Sequence, residues 1–165
     1  MSPAEPNESL TQDLAQMWHE TWPEMLNVSA AVSGAVVGGF YTAFALVVLP
    51  AFDRTDPQSA TQTMVTINEV AETPPFLSLF SFSALTSAVS TVVALRQNDV
   101  AAAIGASLIV AGTLTTVAAN VPMNRALGAG SMPWSTYRRR WGRANALRGL
   151  ASIAGAALLA AANAT

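Results

Sequence analysis

Four long runs of apolar residues alternate with shorter polar segments along the chain. The runs cover about 26–49, 75–95, 100–121 and 144–162, and only the last contains a charged residue, Arg148. A helix needs roughly 20 apolar residues to cross the hydrocarbon core of a bilayer. The pattern predicts an all-α protein in which residues 26–165 form a transmembrane four-helix up-down bundle. A soluble protein with four apolar core helices is the less favoured alternative, since such helices are usually shorter and amphipathic.

Residues 1–25 have a different pattern, with apolar side chains repeating on one face of a helix. The residues of this face are Leu10, Leu14, Met17 and Trp18. Trp18 and Trp22 suit the headgroup layer of a membrane. The segment is therefore predicted to be an amphipathic interfacial helix that ends or bends at Pro23. His19 beside these tryptophans is interpreted as an interfacial polar residue.

The polar segment between the first two runs contains a short amphipathic helix of its own. Asp56 is a suitable N-cap, and Pro57 suits the first helical position. The apolar stripe that follows consists of Ala60, Met64, Ile67 and Ala71. Pro74 and Pro75 end this helix and open the second run. We expect a short loop helix that lies against the mouth of the bundle.

The composition excludes several classes of function. Hydrophobic residues make up 52% of the chain and charged residues 11%, which disfavours a disordered or nucleic-acid-binding protein. The chain has no Cys and a single His, so thiolate chemistry and a multi-His metal centre are excluded. No cofactor and no metal site are predicted.

The arginines are concentrated on one side of the predicted membrane. Seven of the eight lie after the first and third runs: Arg54, Arg125, Arg138, Arg139, Arg140, Arg143 and Arg148. Only Arg96 falls on the other side. The positive-inside rule places the Arg-rich loops in the cytoplasm and both termini outside, in a multi-pass protein of the cell membrane. The arginines among Trp134, Tyr137 and Trp141 are expected to contact anionic lipids of the inner leaflet.

Small residues recur at four-residue spacing within two of the runs. They are Ala30, Gly34 and Gly38 in the first run, and Ala151 and Gly155 in the fourth. Such faces allow helices to approach closely. They would serve packing within the bundle, a homo-oligomer or a partner in a membrane complex, and the sequence leaves these possibilities open.

Polar side chains within the apolar runs form the candidate site. They are Tyr41, Thr42, Asn120, Asn124, Asn145 and Arg148, with Asn68 on the loop helix. An up-down bundle brings all of them to the cytoplasmic mouth. Because polar groups in a bilayer are costly, their convergence indicates function. The alternative is that the asparagines satisfy backbone groups at helix ends interrupted by prolines.

Several blocks of the chain resemble the family of small four-span membrane proteins related to anthrone oxygenases, much of which is known only as a domain of unknown function. The blocks are GFYTAF at 39–44 running to Pro50; Met64 with Ile67 and Asn68, followed by PPFL at 74–77; NVPMN at 120–124 with Leu127; and Trp134, Tyr137, RRW at 139–141, Asn145 and Arg148. The match lies in the order and spacing of these blocks, which cover most of the chain after residue 25.

The resemblance implies oxidation of a polycyclic anthrone by O₂ to an anthraquinone without metal or flavin. Such chemistry requires an apolar slot, a proton acceptor and donors that stabilise an oxyanion. The residues that the resemblance and the predicted mouth assign to catalysis are Tyr41, Asn120, Asn145 and Arg148. Those assigned to binding a hydrophobic aromatic molecule are Asn68, Phe76, Asn124 and Trp141.

The chain departs from the family pattern around Asn145. An aromatic residue commonly precedes this Asn and a His follows it, whereas this chain has Ala144 and Ala146. The sequence therefore identifies no proton acceptor. The alternative function is a non-catalytic membrane subunit or scaffold of a larger complex, and a small-molecule carrier is the least favoured.

Overall fold

The computed structural model describes residues 6–164, except for the side chains of residues 6–9, 19 and 20. This part of the chain is helical and contains no β-strand, which confirms the all-α prediction. The α-helices are α1 (Pro6–Ala43), α2 (Leu49–Phe52), α3 (Pro57–Ala71), α4 (Pro74–Gln97), α5 (Val100–Thr115), α6 (Val121–Gly128) and α7 (Trp134–Ala162). Two π-helical turns, Phe44–Val48 and Thr116–Asn120, join α1 to α2 and α5 to α6.

Four helical rods among the described residues are long and apolar enough to cross a membrane. We name them span 1 (Leu10–Phe52), span 2 (Pro74–Gln97), span 3 (Val100–Gly128) and span 4 (Trp134–Ala162). They mark the chain as a multi-pass membrane protein. Spans 1, 3 and 4 are longer than the predicted apolar runs. Polar residues limit how much of a helix lies in the hydrocarbon core, but they do not end the helix.

The N-terminal segment is helical as predicted, but its helix does not end at Pro23. Helix α1 runs through this proline into the first apolar run. A proline removes only one backbone hydrogen bond, and the ladder on either side of it persists. The side chains of Leu10, Leu14 and Trp18 are exposed. The side chain of His19 lies outside the described part.

Each π-helical turn precedes a proline by two residues. The Leu49 amide donates to the Phe44 carbonyl, and the Val121 amide donates to the Thr116 carbonyl, each five residues earlier. Pro50 and Pro122 lack an amide hydrogen and crowd the carbonyl four residues before them. The wider turn accommodates each proline, so spans 1 and 3 continue as helices.

Close contact between spans depends on small residues. A Cβ atom on Gly155 would lie 2.5 Å from the Gly105 carbonyl oxygen, and one on Gly105 would lie 2.9 Å from that of Gly155. Gly34 faces Ile109, and Gly38 faces span 4 at Ile153. The predicted role of Gly34, Gly38 and Gly155 in close helix approach is confirmed.

The short loop helix is α3, and it packs against one end of the bundle, here called the α3 end. The Asp56 carboxylate accepts hydrogen bonds from the amides of Gln58 and Ser59 at 3.1 and 2.9 Å. Bonds from the Ser59 side chain and amide lower the pKa of this carboxyl group. Ala60 and Met64 are buried in a cluster with Tyr137. The prediction of a loop helix against the bundle is confirmed.

Candidate functional site

A cavity of about 130 Å³ lies at the α3 end of the bundle, and all four spans and α3 contribute to its wall. Six of the eight residues predicted for the site line it: Tyr41, Asn68, Phe76, Asn124, Trp141 and Arg148. The predicted convergence of polar residues at one end of the bundle is therefore present. The other two, Asn120 and Asn145, lie behind the wall.

Arg148 is held at the cavity by a network of neutral groups. Its side chain is 6% exposed. Its Nε and Nη2 atoms donate to Asn145 Oδ1 at 3.3 and 3.0 Å, and its Nη1 donates to the Thr116 hydroxyl at 3.0 Å. Asn145 Nδ2 in turn donates to the Tyr41 carbonyl at 2.8 Å. The network fixes the guanidinium between spans 1, 3 and 4.

The charge of Arg148 has no anionic partner among the described residues. Its guanidinium carbon lies 3.9 Å from the ring centroid of Tyr41 and 5.2 Å from that of Trp141. The ion pair recorded in this part of the chain joins Arg138 to Asp53 at 2.7 Å instead. Cation–π contacts offset only part of the cost of burying a charge. The guanidinium of Arg148 therefore lines the cavity without an ion-pair partner among the described residues.

Two further donors of Arg148 are unused. A guanidinium carries five N–H groups, and the described hydrogen bonds use one each on Nε, Nη1 and Nη2. One N–H on each Nη atom is left for a ligand. Because Arg148 lines the cavity, a ligand oxygen there has donors within reach.

Asn68 adds a further donor at the cavity. It lines the same cavity from α3, and its buried Nδ2 atom has no hydrogen-bond partner of normal geometry in the described structure. The Asn68 side chain lies within hydrogen-bonding reach of the Tyr137 side chain, but its Nδ2 forms no well-aligned hydrogen bond there. A buried amide without a partner costs free energy, so a ligand that accepts from it is favoured.

Asn124 supports the aromatic wall of the cavity. Its Oδ1 atom accepts hydrogen bonds from Trp141 Nε1 at 2.7 Å and from the Tyr137 hydroxyl at 2.9 Å. The rings of Tyr137 and Trp141 stack with their centroids 5.8 Å apart. The oxygen of Asn124 therefore fixes the Trp141 ring that faces the ligand.

Asn120 and Asn145 act through other residues. Asn120 is 1% exposed, and its Nδ2 donates to the Trp141 carbonyl at 3.4 Å. Its Oδ1 is buried without a partner in the described structure. Asn145 links Arg148 to the Tyr41 backbone, as described above. Neither lines the cavity, and each contacts a residue that does: Asn120 the Trp141 backbone, and Asn145 the guanidinium of Arg148.

The remainder of the wall is rich in aromatic rings. Phe40 lies 5.0 Å from Phe44 and 4.7 Å from Phe76 between ring centroids, and Phe44 lies 5.8 Å from Trp141. Packed rings around a small polar centre are typical of sites for flat apolar ligands. The cavity therefore combines aromatic walls with the guanidinium of Arg148.

Two polar residues of the cavity wall, Thr116 and Glu72, were not predicted from the sequence. Thr116 bridges Arg148 and Tyr41, whose hydroxyl lies 3.4 Å from the Thr116 oxygen. Glu72 is exposed and follows the end of α3, and among the residues that the structure describes it is the one acidic member of the cavity wall. Two features of the sequence could have identified these residues. Thr116 lies one turn before Asn120, and Glu72 lies just before Pro74 and Pro75.

No family model matches the chain, and no curated protein or solved structure matches it.

Proposed function

We propose that the cavity binds a hydrophobic aromatic molecule with a carbonyl or phenolic oxygen, and that the protein is a cofactor-independent oxygenase of the anthrone-oxygenase-like type. The observation that carries the proposal is Arg148, a buried cation with neutral partners and unused donors in an aromatic cavity. Such a group stabilises negative charge that develops on a ligand oxygen.

The chemistry begins with proton abstraction from a carbon acid. The Glu72 carboxylate accepts a proton from the methylene carbon of an anthrone-type substrate, and the electron pair moves to the carbonyl oxygen. The new negative charge lies at Arg148 and Asn68, which donate to it. As the charge on Glu72 is neutralised, the positive charge of Arg148 acquires an anion beside it, so charge separation in the site decreases.

Molecular oxygen is the oxidant in the second stage. The substrate anion reduces O₂ and forms a carbon–oxygen bond, and protonated Glu72 returns its proton to give a hydroperoxide. Loss of water from the hydroperoxide leaves the second carbonyl of the quinone. One O₂ is consumed and one water released for each substrate, so the sequence balances without a metal or flavin.

The membrane orientation belongs to the same proposal. Arg139, Arg140 and Arg143 are exposed near the α3 end. Their positive charge favours the cytoplasmic side and an anionic inner leaflet. We place the cavity at the inner face of the cell membrane, with both termini outside, where a membrane-dissolved substrate has access to it.

The test is turnover by purified protein in lipid nanodiscs supplied with an anthrone and O₂. We expect quinone formation above the buffer rate, with one O₂ consumed per quinone. Replacing Glu72 with Gln should lower kcat by about 100-fold or more, because general-base catalysis contributes that much. Glu69→Gln is the matched control, since Glu69 is exposed on α3 outside the cavity wall and its variant should keep full activity.

Two results would contradict the proposal. If several anthrones show no acceleration over buffer, the alternative of a non-catalytic membrane subunit is favoured. If Glu72→Gln and Glu69→Gln are both fully active, Glu72 is not the base.

A further inference from the structure

A larger apolar groove adjoins the site cavity. It has a volume of about 430 Å³ and lies between span 1 and α3. Five of its eight lining residues also line the cavity: Phe40, Phe44, Ile67, Ala71 and Phe76. The cavity and the groove are therefore neighbours that share one wall.

The groove has no charged side chain in its lining. On span 1 it is formed by Phe40, Phe44 and Val48, which repeat every four residues along one helix face. On α3 it includes Thr66 and Val70, and Val70 is 60% exposed. The polar donors of the site lie only on the cavity side of the shared wall.

We propose that the ligand of this site is an amphiphile dissolved in the membrane, with an aromatic head whose anionic oxygen lies in the cavity and a hydrocarbon chain in the groove. The inference rests on the binding cavity of the proposed function and names the class of ligand that this cavity takes. It assigns the groove as a second subsite.

Charge complementarity supports this division of the ligand. The head offers the ion-pair partner that Arg148 lacks among the described residues. Its oxygens also accept from Asn68 Nδ2, which has no well-aligned hydrogen bond in the described structure. The chain fits the groove, where no buried polar group would be left without a partner. Ring contacts form the shared wall, and Phe40 and Phe76 lie 4.7 Å apart between centroids.

Because the ligand is dissolved in the membrane before it binds, its head and its chain contribute differently to specificity. Transfer of a chain from lipid to an apolar groove changes little free energy, because lipid tails are as apolar as the groove. The charged head comes from the aqueous interface, and its attraction to Arg148 is strong in the cavity, where water is largely excluded. The head therefore selects the ligand, and the groove holds its chain in line with the cavity.

The test compares benzoate with para-dodecylbenzoate, which share one head and differ only in the chain. Neither is a carbon acid that can be oxidised, so binding is measured apart from turnover. Dissociation constants are measured in nanodiscs and expressed per lipid. In Thr66→Trp, the new indole ring fills the groove from an exposed position. Thr63→Trp is the matched control, because Thr63 is exposed one turn away and lines neither the groove nor the cavity.

We expect Thr66→Trp to weaken binding of para-dodecylbenzoate by roughly tenfold or more and to leave benzoate unchanged. The chain is fixed at the para position, so it must enter the groove when the carboxylate lies at Arg148, and the new indole ring clashes with it there. Thr63→Trp should change neither. Arg148→Gln should weaken both ligands, because both use the same head.

Three results would overturn the inference. Equal effects of Thr66→Trp on both ligands would show that no chain lies in the groove. Equal binding of para-dodecylbenzoate and its uncharged methyl ester would show that the groove holds any hydrocarbon, including bulk lipid. If Arg148→Gln bound both acids as tightly as the wild-type protein does, the carboxylate head would not lie at Arg148 in the cavity. Loss of anthrone turnover alone would contradict the proposed oxygenase and leave this binding result standing.

Discussion

Replacing Arg148 with Met should reduce anthrone turnover by about 100-fold or more, because it removes the donor that stabilises the substrate oxyanion. The same variant should remain folded. A buried ion without an ionic partner carries a desolvation cost of several kcal/mol, and this cost disappears when an apolar side chain of similar size replaces the arginine. Against this stands the cost of leaving Asn145 Oδ1 without its donors, about 1–3 kcal/mol. We therefore expect a large loss of kcat with little change in thermal unfolding temperature.

Arg143→Met is the matched control for this experiment. Arg143 is exposed on the same helix and lines no part of the cavity. Its variant should match the wild-type protein in both kcat and unfolding temperature. If Arg148→Met instead unfolds the protein, the arginine is a structural element of the bundle. If Arg148→Met keeps wild-type turnover, the assigned role of its charge is wrong.

Gly155→Ala should give the largest loss of stability among single-methyl additions. The new Cβ would meet the Gly105 carbonyl oxygen at 2.5 Å, and this oxygen belongs to a helix backbone that cannot rotate away. Overpacking of this kind costs about 1–3 kcal/mol or more. The gain in helix propensity from Gly to Ala offsets about 1 kcal/mol of it. The expected result is a lower unfolding temperature in detergent, measured by circular dichroism.

Gly39→Ala provides the contrasting control. A Cβ on Gly39 meets no atom within 4 Å. Only the gain in helix propensity from Gly to Ala then applies, and the free energy of unfolding should rise by up to about 1 kcal/mol. If the two variants have the same unfolding temperature, spans 3 and 4 do not meet at Gly105 and Gly155.

The sequence identified site residues where a polar or charged residue lies in or beside an apolar run. Arg148 stands out in an apolar run, and its position near the start of that run places it at one end of an up-down bundle. Tyr41 in the first run and Asn124 after the third reach the same end for the same reason. Alternation of apolar and polar segments was sufficient to find the four spans, because a bilayer sets the length of a helix that crosses it.

The side of the helix on which a residue lies was harder to predict. Asn120 and Asn124 are one turn apart, yet only Asn124 lines the cavity. The π-helical turn at Thr116–Asn120 adds a residue to the turn and changes the register of the face. Pro122 is the only sequence sign of this turn. Periodicity of 3.6 residues therefore misplaces Asn120.

Glu72 could not be identified because an acidic residue in a polar loop has the pattern of ordinary solvated charge. Its place in the cavity wall depends on how α3 folds back onto the bundle. The Gly105–Gly155 contact depends in the same way on the pairing of spans 3 and 4. Both facts require the tertiary arrangement, which local sequence patterns do not specify.

The central claim is that the four spans and α3 form a cavity in which Arg148 binds an anionic oxygen of the ligand. The most direct measurement is the affinity of the protein in nanodiscs for a hydroxynaphthoate and for its uncharged methyl ester, which have nearly the same shape. We predict that the wild-type protein binds the anion at least about tenfold more tightly than the ester, a difference of about 1.4 kcal/mol, and that Arg148→Gln abolishes this preference. Equal affinity for the two ligands in the wild-type protein, or an unchanged preference in Arg148→Gln, would contradict the account.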